Sequence, residues 1–185
     1  MKIHNIEFKA KVDSLEPYEN ILLELNPHFK GVDHQVDTYF NVPKGRLKLR
    51  EGNIENALIN YDRENQAGSK LSSVVLYRHQ PDPALKSILT HQLGIKMVVD
   101  KIRKIYFMEN VKFHFDQVKG LGTFLEVEAI DNDEQYSLEK LQEQCDHYQQ
   151  LFDLKANQMM QLSYSDMLLD KLTPDNSDGN QSTQY

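Results

Sequence analysis

The stretch IEFKAKV, residues 6–12, alternates between apolar and charged positions. Apolar side chains occupy one side, and Glu7, Lys9 and Lys11 occupy the other. Alternation with a period of two indicates a half-buried β-strand. The charged side either faces water or faces something that needs charges of both signs. This strand alone leaves both interpretations open, so the rest of the chain must decide between them.

The composition is that of an ordinary globular domain. The chain has 185 residues, of which 39% are hydrophobic and 26% charged, enough to bury a substantial core. Its formal net charge of -7 argues against general nucleic-acid binding, although a local basic pocket can still bind a small anion. The single cysteine, Cys145, allows no disulfide within the chain. We expect a cytoplasmic protein, since neither a membrane-spanning apolar run nor a signal peptide is apparent.

The periodicity predicts one domain over residues 1–172 that mixes strands and helices. Besides the first strand, period-two or β-branched segments predict strands within 33–45, 45–52, 57–63, 71–79, 95–107, 111–118 and 123–130. Capping residues and helical spacing predict helices within 13–25, 81–94, 137–152 and around 157–172. This order is typical of the α+β class with a mainly antiparallel sheet. The polar stretch 173–185 reads as a disordered tail.

Paired charges recur on the predicted strands. Cations occupy the middle strands, at Lys48, Arg50, Arg63, Lys101 and Arg103, and acids occupy the last strand, at Glu126 and Glu128. For any one strand, a face exposed to water is the simpler interpretation. If the sheet closes, however, these faces line an interior, where unpaired charge is costly. A polyphosphate with a divalent metal would be the natural ligand of such an interior.

Two positions on these faces stay open. Arg63 shares its side of the strand with Ile59 and Tyr61, so that strand is only partly polar on its inward face. Lys112, His114 and Asp116 share one face of their strand, opposite two phenylalanines. Either a structural or a catalytic role fits His114. We also leave open whether Met159, Met160 and Met167 pack in the core or contact a second copy of the chain. A homodimer therefore remains an option.

Several segments together resemble the CYTH superfamily, also called the triphosphate tunnel metalloenzymes. These segments are IEFKAKV, QVDTYFNVPKGRLKLRE, LINYDREN, DKIRKIYF and HFDQVKGLGTFLEVEA, and the similarity spans roughly residues 2–170. The superfamily includes thiamine triphosphatases and class IV adenylyl cyclases, and this chain looks most like the cyclase branch. The resemblance implies a closed eight-stranded antiparallel β-barrel with flanking helices. Such a barrel is a tunnel that binds a triphosphate along its axis, with one or two Mg²⁺ or Mn²⁺.

The resemblance also implies roles for individual residues. Glu7 and Lys11 match the first acid and the lysine of the family's E-x-E-x-K signature, and with Arg50 they form the implied catalytic set. The residues implied to bind the triphosphate are Lys9, Lys11, Lys48, Arg50, Arg63, Lys101 and Arg103. Those implied to bind metal are Glu7, Glu126 and Glu128. Lys9 stands where the family has its second acid, so one metal instead of two, or a changed or lost reaction, would fit.

Three functions follow as alternatives. The first is a class IV adenylyl cyclase that converts ATP to cyclic AMP and pyrophosphate. The second is a triphosphatase acting on tripolyphosphate, thiamine triphosphate or a nucleotide. The third is a protein that binds a polyphosphate or nucleotide without turnover, because Lys9 disables the metal site. No sequence motif marks an adenine pocket, and in all three cases we expect no nucleic-acid or membrane partner.

Overall fold

The computed structural model describes residues 2–62, 70–132 and 135–172. Its eight strands are β1 (Lys2–Val12), β2 (His28–Phe40), β3 (Arg46–Glu51), β4 (Ala57–Asp62), β5 (Lys70–Arg78), β6 (Ile95–Met108), β7 (Val111–Val118) and β8 (Gly122–Asp131). Its four α-helices are α1 (Glu16–Leu23), α2 (Pro83–Leu93), α3 (Leu138–Leu151) and α4 (Tyr164–Leu172), and a short 3-10 helix spans Ala156–Gln158. The predicted α+β class with an antiparallel sheet is confirmed. The predicted tail, 173–185, lies outside the described residues.

The eight strands form a ring in the order β1-β5-β4-β3-β2-β6-β7-β8, and β1 pairs with both β5 and β8. Every pairing is antiparallel. Because each strand has two neighbours, one face of the sheet points into the ring and the other points outward. In β1 the inward positions include Glu7 and Lys9, which lie opposite Glu128 and Glu126 of β8.

The apolar side of IEFKAKV packs outward, beneath the helices. Phe8 and Ala10 belong to a buried cluster with Leu141 and Cys145 of α3, and the Cys145 thiol donates to the Ile6 carbonyl at 3.1 Å. Burying these side chains between sheet and helix supplies much of the hydrophobic stabilisation. The charged side therefore faces the interior of the ring, and of the two interpretations of IEFKAKV the one in which this side faces water is wrong for Glu7 and Lys9.

Helix α4 covers one end of the ring. Tyr164 packs in a second cluster with Val99 and Phe124, and Asp166 forms an ion pair with Arg46 of β3 at 3.0 Å. The prediction of a helix around 157–172 placed its start too early, since α4 begins at Tyr164. The segment before α4 is extended because its backbone pairs with β1, where the Met160 amide donates to the Lys9 carbonyl at 2.8 Å.

The three methionines that were left open pack against the core of this chain. Met159 lies against the cluster beneath α3, and Met160 and Met167 lie against the cluster beneath α4. Core packing therefore accounts for all three, and the homodimer stays a prediction. No helix in the described part of the chain is long and apolar enough to cross a membrane.

Candidate active site

The interior of the ring contains a cavity of about 800 Å³. Eight of the predicted site residues line it: Glu7, Lys9, Lys48, Arg50, Lys101, Arg103, Glu126 and Glu128. Lys11 points to the same side of β1, but it lies near the strand end, is exposed and does not line the cavity. Arg63 lies outside the described residues. The roles of these residues stay predictions, whereas the placement of eight of them in one cavity is a structural result.

Asp37 of β2 joins three cations into one group, here called the cationic cluster: Lys48, Arg50, Lys101 and Asp37. Asp37 accepts two hydrogen bonds from Arg50, at 2.8 and 2.9 Å, one from Lys48 at 3.1 Å and one from Lys101 at 2.8 Å. Burial opposes ionisation of Asp37, but Arg50, Lys101 and Lys48 hold its pKa well below the usual value. Burial lowers the pKa of Lys101 to about 7, although Asp37 partly offsets this effect.

A second carboxylate, that of Glu55 in the β3–β4 loop, lies next to the cationic cluster. Its Oε2 accepts from Arg50 Nη1 at 3.0 Å, and its Oε1 accepts from Lys112 Nζ at 2.5 Å. The loop is held in place by Asp33, whose carboxylate accepts from the backbone amides of Ile54 and Glu55 at 2.9 and 3.0 Å. Both ends of Arg50 are therefore fixed by carboxylates of the protein itself.

Arg103 connects the cationic side of the cavity to the acidic side. Its guanidinium binds Asp116 with two hydrogen bonds, at 2.6 and 2.5 Å, and also reaches Glu126 Oε2 at 2.7 Å. The Tyr164 hydroxyl of α4 donates to Asp116 Oδ2 at 2.7 Å, the same oxygen that accepts from Arg103 Nη2. A bidentate guanidinium–carboxylate pair of this kind fixes geometry as well as charge. Arg103 consequently orients Glu126.

Three side chains could together hold a metal ion, and we call them the metal group: His114, Glu126 and Glu128. One ligand atom from each lies within 4.8 Å of the other two. The distance from His114 Nδ1 is 3.3 Å to Glu126 and 3.7 Å to Glu128. Carboxylate oxygens suit Mg²⁺ and Mn²⁺, so this donor set fits the predicted metals. Glu7 lines the cavity opposite Glu128 in the strand register but is not part of the group.

The protonation states of the three residues in the metal group follow from their burial and from the charges around them. Burial, together with the negative charge of Glu126, raises the pKa of Glu128 to about 7. Burial, with Arg103 and Lys112 nearby, lowers the pKa of His114 to about 3, so its imidazole is neutral at pH 7. Glu126 is ionised, because Lys9, His114 and Arg103 outweigh its burial and keep its pKa low. A bound cation would favour the ionised form of Glu128 as well.

Lys9 lies directly on the metal group. Its ammonium is 3.1 Å from Glu126 Oε1 and 3.9 Å from the centroid of the Tyr164 ring. The side chains of Lys9 and Glu126 are each only 8% exposed. The cation therefore neutralises a carboxylate oxygen that a metal ion would otherwise use.

Four neighbouring residues of β4 and β5 form an apolar part of the cavity wall, and we call them the apolar wall: Ile59, Tyr61, Val74 and Leu76. Ile59 faces Leu76, and Tyr61 faces Val74, as direct cross-strand partners. Side chains at such positions form a continuous surface. One cavity thus combines a cationic cluster, a metal group and an apolar wall.

Comparison with known proteins agrees with this arrangement. The sequence profile of the CYTH domain matches residues 4–162. The chain belongs to the CYTH domain family. A relative from Methanocaldococcus jannaschii, named a putative adenylate cyclase, is 28% identical over 142 residues, which are 69% of this chain and 78% of the relative.

Two solved structures share the CYTH fold with this chain. One is a protein from Vibrio parahaemolyticus, named a putative adenylate cyclase, with a TM-score of 0.72 and 18% identity over 89% of this chain and 97% of that one. The other is a Hippeastrum protein, described as a putative adenylyl cyclase with a dominant triphosphatase activity. It has a TM-score of 0.57 and 14% identity over 93% of this chain and 96% of that one. At these identities the similarity establishes the fold.

Sequence reasoning assigned no role to several residues that organise this CYTH cavity: Asp37, Glu55, Lys112, Asp116 and Tyr164. Lys112 and Asp116 were recognised as charged positions on the same face as His114, but they were not placed in the site. Asp37 follows Val36 and precedes Thr38 and two aromatic residues in the stretch VDTYF, which is a weak sign of an inward carboxylate. Glu55 and Tyr164 lie in a loop and on a helix, where the strand alternation gives no information.

Proposed function

We propose that this CYTH protein carries out metal-dependent phosphorus-transfer chemistry on a triphosphate, and that its reaction converts ATP to cyclic AMP and pyrophosphate. The observation that carries the proposal is the combination of the cationic cluster, the metal group and the apolar wall in one cavity. A phosphate chain needs the first two, and a nucleobase needs the third. The relative named a putative adenylate cyclase supports the same choice.

The cationic cluster would bind the phosphate oxygens. Lys48, Arg50 and Lys101 present N–H donors to the cavity, and charge-assisted hydrogen bonds to phosphate are strong. Asp37 holds all three in place before the ligand arrives. Such preorganised cations stabilise developing negative charge with little rearrangement. Arg50, one of the predicted catalytic residues together with Glu7 and Lys11, is the most tightly positioned of the cluster.

The metal group would hold Mg²⁺ or Mn²⁺ through Glu126 and Glu128, with His114 as a neutral neighbour. When bound, the metal supplies charge neutralisation for the leaving pyrophosphate. Arg103 keeps Glu126 oriented toward the cavity. In the reaction, the ribose 3′-hydroxyl gives up its proton to water and its oxygen forms a bond to the α-phosphorus. The bond from that phosphorus to the oxygen that bridges it to the β-phosphorus breaks, and pyrophosphate leaves with that oxygen.

The apolar wall favours a nucleotide over inorganic tripolyphosphate. Ile59, Val74 and Leu76 offer no charge or hydrogen-bond donor to a phosphate, but they can pack against a flat base. Ligand sites commonly combine an apolar surface with a few polar groups that fix orientation. Inorganic tripolyphosphate has no apolar group that could use this surface, although the four residues also pack in the second hydrophobic cluster.

One observation favours a second candidate, binding without turnover. The Lys9–Glu126 ion pair occupies a carboxylate oxygen of the metal group. If Lys9 remains there when the ligand binds, the metal is held too weakly for chemistry. The protein would then bind a nucleotide or polyphosphate as a sensor or adaptor.

The test is incubation of the purified protein with ATP and, separately, with tripolyphosphate, each with Mg²⁺ and with Mn²⁺. Products are followed by phosphorus NMR and chromatography. Cyclic AMP with an equal amount of pyrophosphate supports the proposal, whereas orthophosphate assigns a triphosphatase. Saturable ligand binding without any product supports the second candidate.

Matched variants connect the activity to the cavity. Arg50→Met removes a cation of the cationic cluster, and we expect turnover to fall roughly 100-fold or more. Lys96→Met removes a cation from an exposed position of β6 and should leave turnover unchanged. Equal activity in the two variants would contradict the assignment of this cavity as the site.

A further inference from the structure

Glu55 is an acidic residue in the part of the cavity where a phosphate would be expected. It is 27% exposed, and its two carboxylate oxygens bridge Arg50 and Lys112 at 3.0 and 2.5 Å. Gln35 donates to the same carboxylate at 3.2 Å. The pKa of Glu55 is held well below its usual value, because Lys112 and Arg50 outweigh the effect of burial. Its side chain is therefore an anion at neutral pH.

The backbone that carries Glu55 is firmly anchored. Asp33 accepts from the Glu55 amide, and Asn56 exchanges two hydrogen bonds with the backbone of Gly52, at 3.0 and 2.9 Å. A Cβ atom on Gly52 would lie 2.7 Å from Asp33 and 2.8 Å from the Glu55 carbonyl, so the loop is also tightly packed. The side chain of Glu55 alone can leave its position, by rotation about its own bonds, without unfolding the loop.

We propose that Glu55 is an internal anion that occupies a phosphate position between Arg50 and Lys112, and that a triphosphate binds by displacing it. This proposal rests on the proposed triphosphate function. A carboxylate with two oxygens and a phosphate with three make the same kind of contact with a guanidinium and an ammonium. The two anions therefore compete for one pair of cations.

Such competition would make the site selective for longer phosphate chains. Lys48 and Lys101 line the same cavity as Arg50 and Lys112. A triphosphate that replaced Glu55 would therefore have two further cations to contact, and its gain should exceed the loss of the Glu55 contacts. Pyrophosphate or orthophosphate offers fewer contacts in exchange for the same loss. When pyrophosphate is formed as a product, the return of Glu55 to the two cations would favour its release.

The test uses Glu55→Gln, which keeps the size of the side chain and removes its charge. Binding of inorganic pyrophosphate and of tripolyphosphate is measured by calorimetry without metal. We expect pyrophosphate to bind at least about tenfold more tightly to the variant, since hydrogen bonds between charged groups no longer have to be broken. We expect the preference for tripolyphosphate over pyrophosphate to fall at the same time.

Glu51→Gln is the matched control, because it removes the same charge from the end of β3 while Glu51 pairs with Lys86 outside the cavity. Its affinities should equal those of the parent protein. Glu55→Asp, with a carboxylate too short to bridge both cations, should give part of the gain and serves if Glu55→Gln does not fold.

Weaker or unchanged pyrophosphate binding by folded Glu55→Gln or Glu55→Asp would overturn the proposal and make Glu55 a residue that only orients Arg50 and Lys112. An equal gain in Glu51→Gln would overturn it too, since general charge would then explain the effect. If neither the parent nor any variant binds tripolyphosphate or ATP even when Mn²⁺ is added, the proposed function itself fails. That outcome differs from one in which the parent protein binds tripolyphosphate but Glu55→Gln binds pyrophosphate no more tightly than the parent, which refutes only the role of Glu55.

Discussion

Replacing Lys9 with methionine tests whether this cation restrains the metal group. Methionine has a similar length and no charge. In the parent protein, the Lys9 ammonium is 3.1 Å from Glu126 Oε1, and the second oxygen of Glu126 is bound by Arg103 at 2.7 Å. After the substitution, Glu126 keeps Arg103 as a partner and has one oxygen available. The protein should therefore become less stable without metal and should bind metal more tightly.

The size of both effects follows from the ion pair. Two unit charges 3.1 Å apart interact by about 5 kcal/mol at an effective dielectric constant of about 20. Arg103 compensates part of the loss, and the methionine side chain can still pack on the Tyr164 ring. We therefore expect the free energy of unfolding to fall by about 2–3 kcal/mol at pH 7. Release of Oε1 should tighten Mn²⁺ binding at least about tenfold, which corresponds to about 1.4 kcal/mol.

Stability is measured by urea unfolding in the presence of a chelator, and Mn²⁺ binding by the loss of the free-ion EPR signal. Lys11→Met is the control, because Lys11 lies on the same side of β1 but is exposed and outside the cavity. It should change neither quantity. If Lys9→Met binds Mn²⁺ no more tightly than the parent, the idea that Lys9 competes with metal for Glu126 is refuted.

A second substitution at the same position sharpens the test. Lys9→Glu restores the family's signature and places a carboxylate next to Glu126. Without metal, the two like charges repel, so this variant should be less stable than Lys9→Met. With Mn²⁺ it should bind more tightly than Lys9→Met and regain stability, because a ligand that binds only the folded state stabilises it. A Lys9→Glu protein that Mn²⁺ does not stabilise would contradict this account.

Three further predictions concern other buried groups. Asp37→Asn should lower the free energy of unfolding by about 3 kcal/mol or more in urea titrations, because two buried cations and the half-buried Lys48 lose their carboxylate. A loss below about 1 kcal/mol would count against this role. Tripolyphosphate should bind more weakly as the pH rises above 7, because free Lys101 has a pKa of about 7 and only its protonated form attracts phosphate. Calorimetry in two buffers with different ionisation enthalpies should then detect proton uptake when tripolyphosphate binds. Equal affinities at pH 6 and pH 9 would contradict a role for the protonation of Lys101. In the native protein at pH 8, Cys145 should react with iodoacetamide far more slowly than in the unfolded chain, because burial raises the pKa of its thiol to about 12. Labelling of the native protein as fast as that of the unfolded chain would contradict this prediction.

The sheet could be predicted from the sequence because its signal is local. Each strand alternates with a period of two, and the two sides of IEFKAKV differ so clearly that its inward and outward residues could be assigned from parity. The same alternation placed Lys48 with Arg50 and Glu126 with Glu128 on common faces. In the ring, all four of these residues line the cavity.

The alternation could not predict how far along the axis of the ring each inward side chain lies. Parity puts Lys11 on the same side as Glu7 and Lys9, but it carries no information on where the cavity ends. In the structure, Lys11 pairs with Phe124, beyond the level of the metal group. The early start assigned to α4 has a similar origin, since the pairing of Met160 with Lys9 joins segments far apart in the sequence.

The partners of the cations were also beyond sequence reasoning. Asp37 and Lys101 are 64 residues apart, and their contact depends on the order and register of the whole ring. Without that register, the inward cations were taken to require a ligand, because buried unpaired charge is costly. The structure corrects this step. Asp37, Glu55 and Glu126 on the cavity wall, with Asp116 buried beside it, supply the counter-charges.

This internal compensation has a consequence for how a triphosphate and a metal would bind. A triphosphate alone would add several negative charges to a cavity in which the cations are already paired with carboxylates. A divalent cation at the metal group would offset part of that charge, and it would be attracted in turn by the phosphates. Each ligand should therefore raise the affinity of the other by the same factor, as linkage requires. Tripolyphosphate that binds equally well with and without Mn²⁺ would show that the metal group and the cationic cluster do not form one site.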